Sequence, residues 1–125
     1  MTLTVTSLIG DFAATITGVD LKEPISDNIF ADIHKAVDSH GVAVLRNQFL
    51  DDPALIAFAQ RFGPLEEPLK RDQFGSADKR ISLLANVGED GEVMPANNKH
   101  AIFMKGNLLW HSDSSYKRVP STYSI

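Results

Sequence analysis

The chain contains no cysteine, and no apolar run in it approaches the ~20 residues of a membrane-spanning helix. The first absence excludes disulfides, zinc fingers and thiol catalysis, and it suits a reducing compartment. Positive charge is also scarce. Twelve Lys and Arg stand against 16 Asp and Glu, for a formal net charge of −4, and no basic cluster is longer than Lys70-Arg71. Such a chain has no electrostatic footprint for nucleic acid. The opening "MTLTVTSLIGDF" lacks a basic stretch followed by a long apolar one, so it does not read as a secretory leader. The expectation is a soluble cytoplasmic protein with no nucleic-acid or membrane partner; homo-oligomerisation stays open.

Apolar residue types are well supplied, at 43% of 125 residues, enough for the core of about one domain. Thr4, Val5, Thr6 and Phe12, Thr15, Ile16 are strand formers separated by Gly10-Asp11, which predicts an opening hairpin. Ser26 can cap a helix over about 27–39, whose Ile29, Phe30, Ile33, Ala36 and Val37 recur at helical spacing up to Gly41. "GVAVLRN" (41–47) then reads as a buried strand. Asp52 caps and Pro53 begins a second helix with Leu55, Ile56, Phe58, Ala59 and Phe62 on its apolar side, closed by Gly63-Pro64. Beyond it the chain is polar and irregular to 79, reads as a strand over 80–87, and becomes a loop over 88–100.

One short stretch carries chemistry. In "LLWHSDSSY" (108–116) an extended backbone puts His111 and Asp113 on one face, where an imidazole and a carboxylate could converge on a metal. A solvated turn in which His111 hydrogen-bonds Asp113 explains the same tripeptide, and H-x-D alone does not choose between them.

Four segments in order, "ITGVDL" (16–21), "GVAVLRNQ" (41–48), "FAQRFGPLEE" (58–67) and "GNLLWHSDSSY" (106–116), resemble the Fe(II)/2-oxoglutarate dioxygenases of the taurine dioxygenase (TauD/TfdA) family. The likeness is greatest to its 2,4-dichlorophenoxyacetate dioxygenase branch. The resemblance implies a mainly β fold with flanking helices, a double-stranded β-helix (jelly roll), of which residues 1–125 would be the N-terminal portion. It implies Fe(II) held by His111 and Asp113, with 2-oxoglutarate as co-substrate and O₂ as oxidant. The reaction would hydroxylate a small organic acid, such as an aryloxyalkanoate, and release succinate and CO₂.

Four further residues are implied around the metal. Asn107 falls where the family places an amide lining the substrate pocket, and Ser114 where the substrate's acidic group approaches. Lys70 or Arg71 would be the counter-ion of a substrate carboxylate; as solvated loop charges they need no such role. "FGPLEEPLKRDQF" lacks the histidine that taurine-specific members carry there, which argues against taurine itself. No histidine follows His111, so the second iron histidine and the 2-oxoglutarate arginine are expected beyond Ile125, and the 125 residues alone are expected to be inactive. His100 is the remaining candidate ligand; His34 and His40 lie on the first helix, where the helix itself accounts for them. The competing readings are a taurine or alkylsulfonate dioxygenase, a non-catalytic jelly-roll binding module, and, last, a serine hydrolase, for which no nucleophile elbow is present.

Overall fold

Gly10, at φ 53°, opens the two-residue turn that joins β1 (Thr4–Ile9) to β2 (Phe12–Thr17). The strands pair antiparallel from Thr4 opposite Thr17 to Ile9 opposite Phe12, as the hairpin signal predicts. The computed structural model describes residues 2–66, 78, 80–82, 84–88 and 91–125. They form two units, Met1–Pro64 and Leu65–Ile125.

In the first unit, α1 (Asp27–His40) follows the predicted boundaries closely. The Ser26 side chain accepts a hydrogen bond from Ile29 N, and Gly41 ends the helix at φ 72°, with its N–H bonded to Val37 O. α1 is the crossover that lets β3 (Ala43–Leu45) return parallel to β2, giving the sheet order β1-β2-β3. Predicted as buried, β3 is half-buried along its length, because it lies at a sheet edge. α2 (Asp52–Ala59) is capped by Asp51 rather than Asp52. Asp51 supplies both the first helical carbonyl, to Leu55 N, and the carboxylate that accepts from Ala54 N, so the helix starts one residue earlier than predicted. A 3-10 turn (Gln60–Phe62) continues it to Gly63.

The helices and sheet enclose a core centred on Ile16, Ile33 and Ala36, against which Leu45, Phe58 and Phe62 pack. Phe30, Phe58 and Phe62 meet edge to face at 4.9–6.4 Å between centroids. Gln48 ties two loops together: its Oε1 accepts from Leu21 N at 2.8 Å and its Nε2 donates to Val19 O at 3.1 Å. Gly18 cannot be another residue in this loop, since a Cβ there would lie 2.2 Å from Thr2 O.

The second unit has far less regular structure, and none of its described residues is fully buried. Neither extended segment predicted here, 80–87 nor 108–113, is a strand among the described residues. A strand exists only through a neighbour that takes its backbone hydrogen bonds. Among the described residues of this unit the one strand-like pairing is an isolated antiparallel bridge of Val87 with Val93. α3 (Lys99–Met104) takes up the last two residues of the predicted loop and the four that follow, behind Asn98, whose Oδ1 accepts from His100 N and Ala101 N. A 3-10 turn (Lys105–Leu108) follows. The helices hold more of the described residues than the strands, so the architecture is a small sheet with helices, and no jelly roll is displayed. Among the described residues no helix is long and apolar enough to cross a membrane.

Candidate metal site

His111 and Asp113 lie just past the 3-10 turn, on irregular backbone rather than a strand, and yet their side chains meet. Nε2 of His111 is 3.1 Å from Oδ1 of Asp113. On the far side of the ring Nδ1 donates to Leu109 O at 2.7 Å, since a carbonyl can only accept. That bond fixes the tautomer and aims Nε2 at the carboxylate, the arrangement by which metal-binding histidines are usually oriented. Asp113 is held in turn by Ser124, whose Oγ donates to Oδ2 at 2.6 Å and leaves Oδ1 for the histidine side.

The separation suits a shared ion. Two donors each about 2.1 Å from one metal and at right angles stand about 3 Å apart, matching the Nε2 to Oδ1 distance. Both side chains are about half exposed, so an ion could reach them from solvent. The Leu109 carbonyl, and secondarily the Asp113 charge, raise the His111 pKa above its ordinary value. A proton on Nε2 is thus the natural competitor of a cation there. Among the described residues no three His, Asp or Glu side chains gather into a metal-binding group, so two donors are what this stretch offers. His100 sits in the first turn of α3 and joins no such group.

Asn107 is exposed on the 3-10 turn. Ser114 takes φ 53° and donates its hydroxyl proton to Glu66 Oε1 at 2.8 Å, while its carbonyl accepts from Lys117 N at 2.9 Å. Lys70 and Arg71 fall outside the described residues. In the first unit, His34 stacks on Phe62 at 5.6 Å and bonds Asp38, while His40 bonds Asp11 O at 3.2 Å. The His40 bond adds a tertiary reason to the helix-end reading of that residue.

Glu66 carries no signal of its own in the sequence, and only the structure shows its partners. Its carboxylate receives Ser114 Oγ, Lys117 Nζ and Ser121 Oγ, 48 to 55 residues further along the chain. Lys117, then Ser121, then Ser114 hold its pKa down to about 2 from an ordinary 4.5. A carboxylate with a depressed folded-state pKa stabilises the fold above its unfolded pKa and loses that effect as pH falls through the folded value. The stability gap between the wild-type protein and Glu66→Gln is therefore expected to be full above pH 4.5 and to close toward pH 2. Urea denaturation at stepped pH measures it, and a gap that does not change with pH would contradict the ionic clasp.

Residues 4–125 match the sequence model of the family described as "Taurine catabolism dioxygenase TauD, TfdA family". The chain belongs to the TauD/TfdA dioxygenase family. It is 36% identical over 117 residues to the alpha-ketoglutarate-dependent 2,4-dichlorophenoxyacetate dioxygenase of Cupriavidus pinatubonensis, covering 91% of this chain and 41% of that protein. With the (S)-phenoxypropionate/alpha-ketoglutarate-dioxygenase of Delftia acidovorans the identity is 34% over 122 residues, covering 94% and 39%. A crystal structure of AAD-2 in complex with Mn(II) and N-oxalylglycine superposes with a TM-score of 0.78 at 31% identity, over 96% of this chain and 39% of that one. The chain thus spans about two fifths of the length of these relatives.

The family-like segments divide by task in the structure. "ITGVDL" holds the end of the second strand and the Gly18 turn, and "GVAVLRNQ" the third strand and the Gln48 tie to that turn's loop. "GNLLWHSDSSY" supplies the His111–Asp113 pair.

Proposed function

We propose that the protein carrying this chain is a 2-oxoglutarate-dependent dioxygenase that uses Fe(II) to hydroxylate a small organic acid, most suitably an aryloxyalkanoate. The observation that carries the reading is the His111–Asp113 pair, 3.1 Å apart and oriented by Leu109 O and Ser124, in a TauD/TfdA-family chain. The relatives named for phenoxy acids support the substrate class. The complete fold in this reading is the family's jelly roll.

His111 Nε2 and Asp113 Oδ1 would hold the iron. When bound with 2-oxoglutarate and O₂, it supplies the oxidising power for C–H hydroxylation, with succinate and CO₂ as the other products. The chain's own residues do the placing. Leu109 O keeps the imidazole proton on Nδ1, so Nε2 presents a lone pair. Ser124 occupies one carboxylate oxygen of Asp113 and leaves the other to bind. Asn107, Ser114 and one of Lys70 and Arg71 would receive the substrate, the cation pairing with its carboxylate.

The substrate class is tested by competition. With Fe(II), ascorbate and 2-oxoglutarate supplied, phenoxyacetate is expected to be turned over with a kcat/KM at least about tenfold above that of taurine, the order of discrimination a pocket gives from shape alone. Succinate release measures both. A preference for taurine would move the protein to the sulfonate branch and leave Lys70 and Arg71 without the assigned role.

A further inference from the structure

Glu66 is an acidic side chain that reaches the turn carrying Asp113. Its two oxygens take three donors from that turn and the chain after it: Ser114 Oγ and Lys117 Nζ on Oε1, and Ser121 Oγ on Oε2. Ser114, covalently next to Asp113, takes φ 53°, a left-handed conformation that a residue with a side chain keeps only where its surroundings hold it. Lys117 N closes the turn onto Ser114 O at 2.9 Å. The hydroxyl of Ser121 lies 3.4 Å from that of Ser114, so the two serines converge on one carboxylate. All three groups can donate and the ammonium can only donate, so a carboxylate takes all three as acceptor and pairs its charge with Lys117. An amide would keep the three bonds only by donating its NH₂ to a serine, and it would lose the charge.

From this geometry we propose that Glu66 is a positioning residue for the metal site: it clasps the turn at residues 114–121 and thereby fixes where Asp113 presents its carboxylate. The proposal rests on the metal reading of His111 and Asp113 given above. It concerns a residue that bonds the turn after Asp113 rather than His111 or Asp113 themselves, and it predicts that an outer contact sets the affinity of the site.

The test uses the full gene product and Mn(II) alone, titrated by calorimetry, with the electron paramagnetic resonance line shape of the bound ion as a second readout. Glu66→Ala is expected to weaken Mn(II) binding about 10- to 100-fold, the range found when outer-sphere partners of metal ligands are removed. Its Mn(II) line shape should also change, because Asp113 is no longer fixed; a merely structural loss elsewhere would leave that line shape alone. Glu66→Gln should fall between Glu66→Ala and wild type. Ser121→Ala, an exchange of one hydroxyl, should weaken binding a few-fold and serves as the reading if Glu66→Ala does not fold. Wild-type affinity and line shape in a folded Glu66→Ala, or in Ser121→Ala if that is the variant available, overturn the proposal. His111→Ala separates the two claims. If it loses Mn(II) while Glu66→Ala keeps it, the positioning role alone fails; if His111→Ala also keeps it, the metal reading fails and the positioning role falls with it.

Discussion

Replacing His111 with alanine in the complete protein is expected to lower 2-oxoglutarate turnover by more than about 100-fold, beyond the loss that outer-sphere changes around a metal produce. Asp113→Ala should do the same. Each removes one of the two donors that stand 3.1 Å apart, and a site left with fewer donors holds a divalent ion poorly at working concentrations. The variants should still fold, because both side chains are about half exposed and their removal leaves no cavity. Oxygen consumption and succinate release, run beside a far-ultraviolet circular dichroism spectrum, separate lost chemistry from lost structure. Near-normal turnover by a folded His111→Ala would return "WHSD" to the solvated-turn reading that the tripeptide alone permits.

Ile33→Ala is expected to destabilise the protein by about 2–5 kcal/mol, the range for truncating a fully buried aliphatic side chain. Ile33 is the residue of α1 that the core closes around: it is 0% exposed and packs with Ile16, which is 2% exposed, and Ala36. Truncation removes its apolar contact and leaves a void that the sheet on one side and the Phe58 and Phe62 rings on the other fill only in part. Lys35→Ala on the exposed side of the same helix should stay within about 0.5 kcal/mol of wild type. Urea denaturation of the two variants measures the contrast. A loss below about 1 kcal/mol for Ile33→Ala would mean that the core is centred elsewhere.

The amino-acid sequence by itself determined the elements whose causes lie within a few residues of one another. Gly10 sets the hairpin turn, Ser26 and Gly41 bound α1, and the spacing of Ile29, Ile33, Ala36 and Val37 gives that helix its buried side. His111 and Asp113 belong to the same group. Two positions apart, they come together on irregular backbone as readily as they would on the strand expected for them. α3 had its local cause as well, the Asn98 cap, but six residues are too few to show an apolar period.

Only the tertiary structure decided the rest. The parallel pairing of β3 with β2, the bonds from Gln48 to Val19 and Leu21, and the grip of Glu66 on Ser114, Lys117 and Ser121 each join groups 27 to 55 residues apart. Nothing in "GPLEE" distinguishes Glu66 from Glu67 as a partner of a distant serine, because the choice is made by which loop the fold brings alongside. The same holds for the strands expected at 80–87 and 108–113. Their residues favour extended backbone, but propensity cannot supply the neighbouring strand that makes a sheet, and hydrogen bonds between segments form only where the fold places one beside the other.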